Sequence, residues 1–249
     1  MPDKRRHRGA HPEDRRLFDA AALEVLRAAV ADTSWLLGRR YAETSALKLV
    51  GDHYQLDRRQ RNAVMRCACG DGALAKRRGR QVEPADVTGR AILIDGYNVL
   101  TSVEAALAGG LLLLGRDGAL RDIASMHGSF RKVAETPRAI ELIGQSLAGL
   151  SAGDVQWYLD RPVSNSGRLK TLIDQTAAQR GWPWQIHLSV SPDYVLTHTA
   201  EIVATADSVI LDRCQRWFNL ARYVVEQRVA AVWIVDLSSV SGCQVKGNR

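Results

Sequence analysis

Through the first third of the chain, apolar residues recur at helical rather than alternating spacing. Leu17, Ala21, Val25 and Ala28 share one face behind Asp14, a residue type that caps helices. Further short helices are expected over residues 32–40, 43–50 and 57–69, with interruptions at Gly38 and Gly51. After a stretch at 79–90 that carries Pro84 and Gly89, the pattern changes. Apolar runs at 91–95, 155–160, 183–190 and 231–236 read as strands, separated by helical material at 104–149, 168–180 and 207–229. In the last of these, Ile210, Cys214, Trp217, Ala221, Val224 and Val225 fall on one helical face. Strands alternating with helices predict βαβ units and a mostly parallel sheet. The expected architecture is therefore α/β: an all-helical domain over residues 1–88, then a Rossmann-like sheet flanked by helices over 89–249.

The composition agrees with a globular protein that has a sizeable core: 249 residues, 46% hydrophobic and 24% charged. No apolar run approaches the roughly 18 residues of a membrane span, so no membrane association is expected. The first residues lack a secretory pattern, which makes the cytoplasm the expected location. Cys67, Cys69, Cys214 and Cys243 do not form a disulfide or zinc framework and read as reduced thiols. Charge is unevenly divided. Residues 1–90 carry 19 Lys and Arg against 12 Asp and Glu, whereas residues 91–249 carry 15 of each. The clusters Lys4-Arg-Arg6, Arg58-Arg59 with Arg61, and Lys76-Arg-Arg78 could neutralise phosphates, and a hairpin over 46–65 with Gly51 in its turn faintly suggests a helix-turn-helix. The alternative is a solvated helix face, and the two readings stand about even.

Candidate chemistry sits where strands end. The strand 91–95 delivers Asp95 to a turn, with Asn98 three residues on; Val155–Leu159 ends in Asp160, Val232–Val235 ends in Asp236, and Asp207 heads an amphipathic segment. In open α/β sheets, ligands bind at the carboxyl ends of strands. Carboxylates gathered there repel one another unless protonated or neutralised, and Mg2+ or Mn2+ resolves the conflict with oxygen ligands. To share such a cation, the carboxylate oxygens of Asp95, Asp160 and Asp207 need to lie within about 5 Å of a common point. Each acid taken alone also fits a capping role. Directly after Asp160, the loop Arg161-Pro-Val-Ser-Asn-Ser-Gly-Arg168 leads into a helix. Ser164, Asn165, Ser166 and Arg168 are its candidate contacts to a substrate phosphate. A well-capped helix start is the alternative at equal odds.

These residues carry a resemblance. Ile92-Leu-Ile-Asp-Gly-Tyr-Asn-Val99 resembles the first strand and site turn of the PIN-like and NYN ribonuclease superfamily, and Thr205-Ala-Asp-Ser-Val-Ile-Leu-Asp212 is similar to its segment that supplies an acid at a helix start. More closely, the chain resembles the DUF434 family, bacterial proteins of unknown function with a helical region before a PIN-like domain. Ala46-Leu-Lys-Leu-Val-Gly-Asp52, Asp160–Gly167 and Arg213–Leu220 carry that likeness, which spans nearly the whole chain. The superfamily resemblance implies a metal-dependent nuclease, acting on RNA more than on DNA, with Asp95, Asp160 and Asp207 as metal ligands, Asn98 orienting a ligand or water, and Asp236 as a fourth acid. The basic helical domain would grip the nucleic acid. The superfamily also takes an acid from a helix between its first two core strands, for which Glu104, Asp117 and Asp122 are candidates. Leu237-Ser-Ser239 lacks the acidic turn of active relatives. Two alternatives therefore stand beside the nuclease: a non-catalytic nucleic-acid-binding protein with a degenerate site, and a nucleotide-binding phosphoesterase.

Overall fold

The computed structural model describes residues 7–123 and 130–239; the cluster Lys4-Arg-Arg6 and Cys243 lie outside them. Five α-helices open the chain: α1 (Asp14–Leu17), α2 (Ala20–Gly38), α3 (Glu43–His53), α4 (Arg58–Cys67) and α5 (Asp71–Arg80). The first expected helix is split, because Asp19 accepts a hydrogen bond from Ala22 N and starts α2 afresh, which then runs unbroken through residues 32–38. Gly51 lies inside α3 rather than in a turn. The Arg61 guanidinium packs on its bare Cα, where a Cβ would come within 2.2 Å of Nη1. The hairpin turn falls instead at residues 54–57, closed by a capping box between Asp57 and Gln60.

After a 3₁₀ turn (Pro84–Val87), the chain enters a five-stranded parallel sheet. Its strands are β1 (Ile92–Asp95), β4 (Val155–Asp160), β5 (Trp184–Ser189), β6 (Ile202–Ala204) and β7 (Arg216–Phe218), in the order β5-β4-β1-β6-β7. β1 is central, pairing Ile92 with Val155 on one side and with Ile202 on the other. Both faces of the sheet are covered, as the continuous apolar runs require. Ile92, Ile94, Ile202, Ala204 and Phe218 point into a core shared with α6 (Gly96–Leu107), α7 (Thr136–Gly149), α8 (Ser166–Arg180) and α11 (Leu220–Arg228). Leu93, Val203 and Trp217 face a smaller core with α9 (Pro192–His198) and α10 (Ser208–Leu211).

Two expected helices are corrected. The stretch 104–149 contains a hairpin, β2 (Leu111–Leu114) with β3 (Leu120–Asp122), between α6 and α7. The run Leu111-Leu-Leu-Leu114 has no period of its own and leucine favours helices, so the pattern concealed a strand. The helix expected over 207–229 is three elements, α10, β7 and α11. The six residues of its apparent stripe are all buried, yet Ile210, Cys214 and Trp217 serve one core and Ala221, Val224 and Val225 another.

The last strand, β8 (Trp233–Asp236), does not join the main sheet. It pairs in parallel with β2, making a second sheet in the order β3-β2-β8. One face of that sheet, through Leu112 and Leu120, closes the main core. The other, through Leu111, Leu113 and Val235, packs on Leu26, Val30, Ala63 and Val64 of the helical segment. The helices therefore share their hydrophobic core with strands from beyond residue 89.

Charge reinforces this junction. Buried acids each receive an arginine: Asp14 from Arg59, Glu104 from Arg8, Asp122 from Arg66 at 3.7 Å, and Asp117 from both Arg77 and Arg121. Asp117 is 2% exposed, and Arg77 and Arg121 are each 4% exposed. Arg121 grips Asp117 in bidentate fashion at 2.9 and 2.7 Å, and Arg77 Nη1 donates to the same carboxylate at 2.7 Å. Burial alone would raise the Asp117 carboxyl, but Arg121 and Arg77 hold it well below the usual range. Asp117→Ala leaves two buried guanidiniums without their shared anion and is expected to cost about 3–5 kcal/mol, read by urea unfolding. A loss under about 1 kcal/mol, the size of an exposed pair, would contradict this role.

Candidate active site

In the order β5-β4-β1-β6-β7, the connections leave β1 toward β4 on one side, and β6 returns on the other. The crevice between the carboxyl ends of β1 and β6 is thus a topological switch point, where open sheets bind ligands. Asp95 ends β1, and the chain turns at once into α6. Only glycine fits at position 96: a Cβ would stand 2.5 Å from Leu159 Cδ2 and 3.0 Å from the Tyr158 carbonyl. Across the crevice, Thr205-Ala-Asp207 follows β6.

This loop is fixed from several sides. Thr205 Oγ1 donates to Asp95 Oδ2 at 2.7 Å and accepts from Asp207 N at 3.0 Å. Asn98 Oδ1 accepts from Ala206 N at 2.7 Å, and Arg121 Nε donates to Ala206 O at 2.7 Å. Asp207 caps α10, its Oδ1 accepting from Val209 N at 2.8 Å and Ile210 N at 3.3 Å. The Arg77–Asp117–Arg121 cluster therefore reaches the crevice directly. Arg77 also donates to Asp212 and to the Ser208 carbonyl.

Four aspartates bear on one another here. Burial pushes the Asp95 carboxyl up to about 7; the Thr205 hydrogen bond opposes this, while Asp207, Asp193 and Asp160 add to it. Asp160, at the end of β4, is raised by burial and by Asp193. Asp193 is itself raised by burial and by Asp207. The sequence reading missed Asp193, although Ser191-Pro-Asp193 after an apolar strand is a helix-start signal with an acid in the first turn. Thr205 and Arg121 also escaped notice, since nothing local distinguishes a threonine or arginine that works through a distant partner.

The donors are all hard oxygens, the chemistry that Mg2+ or Mn2+ takes. Among the described residues, no three Asp, Glu, His or Cys side chains are gathered closely enough to ligate one ion. Asp207 is turned to the α10 amides and Asp95 to Thr205, which keeps the carboxylates apart.

Asp236 lies in the second sheet rather than beside β1. Its Oδ1 accepts from Ser238 N at 2.8 Å and Ser238 Oγ at 2.6 Å, and its carbonyl accepts from Arg27. The strand was read correctly and its neighbour was not, because an apolar run reports burial and not pairing partner. Glu104, Asp117 and Asp122, the candidates for an acid from the helical stretch, are each committed to the internal arginines described above.

The loop after Asp160 is built as a scaffold with one charged edge. Asn165 takes a left-handed backbone (φ 69°) at the start of α8 and donates its Nδ2 to the Phe130 carbonyl. Ser166 Oγ donates to the Arg161 carbonyl, and the Ser164 carbonyl accepts from Phe130 N. The side chains of Asn165 and Ser166 thus hold the loop in shape. Arg168 lines a cleft of about 350 Å³ with Arg131 and Lys132, and none of the three forms an ion pair among the described residues. Tyr97 packs beneath the site, its buried ring 5.5 Å from that of Phe130.

A larger cleft of about 710 Å³ opens beside the crevice. One wall carries Asn98, Ala206, Asp207 and Ser208; the opposite wall comes from the helical segment, including Tyr41, Leu47, Asn62 and Met65. Of the arginines expected to grip nucleic acid, Arg59 is bound to Asp14 and Arg61 to Asp52 and the Leu56 carbonyl, while Arg58 is exposed.

The family model for a domain of unknown function, DUF5616, matches residues 84–223, and that for a protein of unknown function, DUF434, matches residues 25–80. The DUF434 likeness is thus confined to the helical segment. Asp160–Gly167 and Arg213–Leu220 fall within the other match. An uncharacterised protein of Methanocaldococcus jannaschii is 31% identical over 180 residues, which cover 72% of this chain and 86% of the relative. No solved structure matches the chain significantly. Among the described residues, no helix is long and apolar enough to cross a membrane.

The raised Asp95 carboxyl predicts a pH dependence. Its folded value of about 7 exceeds the ordinary 3.8, so the folded state keeps a proton that the unfolded chain releases, and stability falls as pH rises between those values. Asp95→Asn removes that contribution. In urea unfolding with EDTA, the variant should gain on the wild type between about pH 4 and about pH 7. A constant difference across that range would show that Asp95 titrates normally.

Proposed function

The chain belongs to the family defined by the DUF434 and DUF5616 models, and from that premise and the crevice chemistry we propose that it is a divalent-cation-dependent nuclease acting on RNA. The observation that carries this reading is the set of four aspartates, Asp95, Asp160, Asp193 and Asp207, bearing on one another at the switch point of a parallel sheet. Holding four acids at one edge of the sheet costs stability through desolvation and repulsion, beyond what the cap that Asp207 provides would require. The β5-β4-β1-β6-β7 order with acids on β1, after β4 and after β6 supports a PIN-like identity for the sheet domain.

Mg2+ keeps several waters and uses one or two direct carboxylates, so Asp95 at the end of β1 would hold such a cation, with Asp160, Asp193 and Asp207 adding negative charge at the crevice. When bound, the cation supplies charge neutralisation and an activated water for attack on phosphorus. The protein's own groups set the rest. Thr205 orients the Asp95 carboxylate, and Asn98 and Arg121 hold the 205–207 loop against recoil. Burial and neighbouring acids raise Asp160 and Asp193, so each keeps its proton to higher pH than an exposed carboxyl at the crevice edge. Arg168, with Arg131 and Lys132, offers positive charge to a backbone phosphate.

One observation favours a second reading, a nucleic-acid-binding protein without catalysis: Asp207 is spent as a helix cap, and no three acids converge. The two separate in one assay. Incubated with single-stranded RNA and manganese, the wild type should cleave. Asp95→Asn should lower the rate by about 10²-fold or more while remaining folded, and EDTA should abolish it. Salt-sensitive binding without turnover would replace the nuclease with the binding protein, and undiminished cleavage by Asp95→Asn would remove Asp95 from the site.

A further inference from the structure

On the helical segment, the end of α2 sets exposed aromatic rings beside exposed arginines. Trp35 and Tyr41 are 55% and 54% exposed, large rings that a folded chain ordinarily covers in good part. The Arg39 guanidinium lies over the Trp35 ring, 3.5 Å from its centroid. Arg40 is exposed next to it, in a left-handed backbone conformation (φ 66°) that turns the chain out of the helix. Neither arginine forms an ion pair among the described residues. Tyr41 N then donates to the Leu36 carbonyl at 3.2 Å, folding the chain back so that Tyr41 lines the 710 Å³ cleft that Asn98 and Asp207 line from the other wall.

We propose that Trp35, Arg39, Arg40 and Tyr41 form a stacking track for single-stranded RNA, which leads its bases across the helical segment into the cleft toward Asp207; the assignment rests on the nuclease reading above. Exposed aromatic rings interleaved with unpaired arginines match what an unstructured strand offers, a π-face on each base and a charge on each phosphate. The guanidinium over Trp35 is preordered by cation–π attraction, which lowers the entropy lost when a phosphate or base arrives. A duplex, whose bases face one another, cannot use the rings. A protein partner would be expected to meet a broader apolar surface than two rings flanked by cations. The cleft volume lies within the range that accepts a nucleotide. Glu43, in the first turn of α3, is the acid that this wall contributes, and it lies beyond Tyr41 along the chain.

The test is fluorescence anisotropy of a labelled oligouridylate in EDTA, where cleavage makes no contribution. Wild type should bind, Trp35→Ala and Tyr41→Ala should each weaken Kd about tenfold, Tyr41→Phe should bind as wild type, and duplex RNA should bind less tightly than the single strand. These side chains are exposed, so unchanged thermal unfolding is the control for folding. Equal binding by both alanine variants, or a preference for duplex, would overturn the track. Manganese-dependent cleavage of the same RNA by wild type decides separately on the nuclease reading. Cleavage with KM unchanged in both variants sinks the track alone. Absence of both binding and cleavage by wild type sinks the track and the nuclease together.

Discussion

Much of this structure depends on one buried carboxylate lying between two guanidiniums. Asp117 sits in the turn between β2 and β3, Arg121 on β3 and Arg77 on α5, so a single anion ties the small sheet to the helical segment. Burying three charges is expensive, and the cost is recovered only when almost every donor is satisfied. Arg121 also donates to the Ala206 carbonyl, and Arg77 to the Ser208 carbonyl and Asp212, so the same cluster holds the segment that begins beside Asp95. Few alternative arrangements would satisfy so many charged donors. The position of the 205–207 loop follows from that constraint as much as from β6, and the crevice takes part of its shape from arginines whose shared anion lies outside the acid cluster.

The same logic changes the meaning of the chain's charge. A net of +7, concentrated before residue 90, looks like a surface prepared for polyanions. In the fold, Arg8, Arg59, Arg66 and Arg77 face buried acids, three of which belong to the sheet domain. All four are arginines, whose planar fork is less strongly hydrated than an ammonium and suits buried pairs. Net charge counted along a chain therefore overstates what a partner meets. Among the described residues, exposed cations without an acid include Arg39, Arg40 and Arg168 as well as Arg58, Lys76 and Arg78 of the dense clusters, so density along the chain marks only some of the charge that a partner meets.

What was legible in the sequence was what local pattern controls. β1, β4, β5 and α8 were readable because apolar runs end in turn residues or change period at a glycine. Asp95, Asp160 and Asp207 stand at element ends for the same reason. The hairpin at Leu111–Asp122 was hidden by a leucine run with no period, and α10, β7 and α11 were fused by a helical spacing that arose from burial in two separate cores. Asp236 shows the limit most clearly, since its strand was found and its sheet was not. Partnership across the chain, whether Thr205 with Asp95, Asn98 with Ala206 or Tyr41 across from Asp207, leaves no mark in neighbouring residues.

The shared core between α2, α4 and the β3-β2-β8 sheet bears on how the chain could be divided. Leu111, Leu113, Val235 and Leu237 are covered by helices encoded at the opposite end of the gene, and Leu26, Val30 and Val64 are covered by those strands in return. The regions matched by the two family models are therefore halves of one hydrophobic core in this chain, and neither could be cut away without wetting the apolar face of the other.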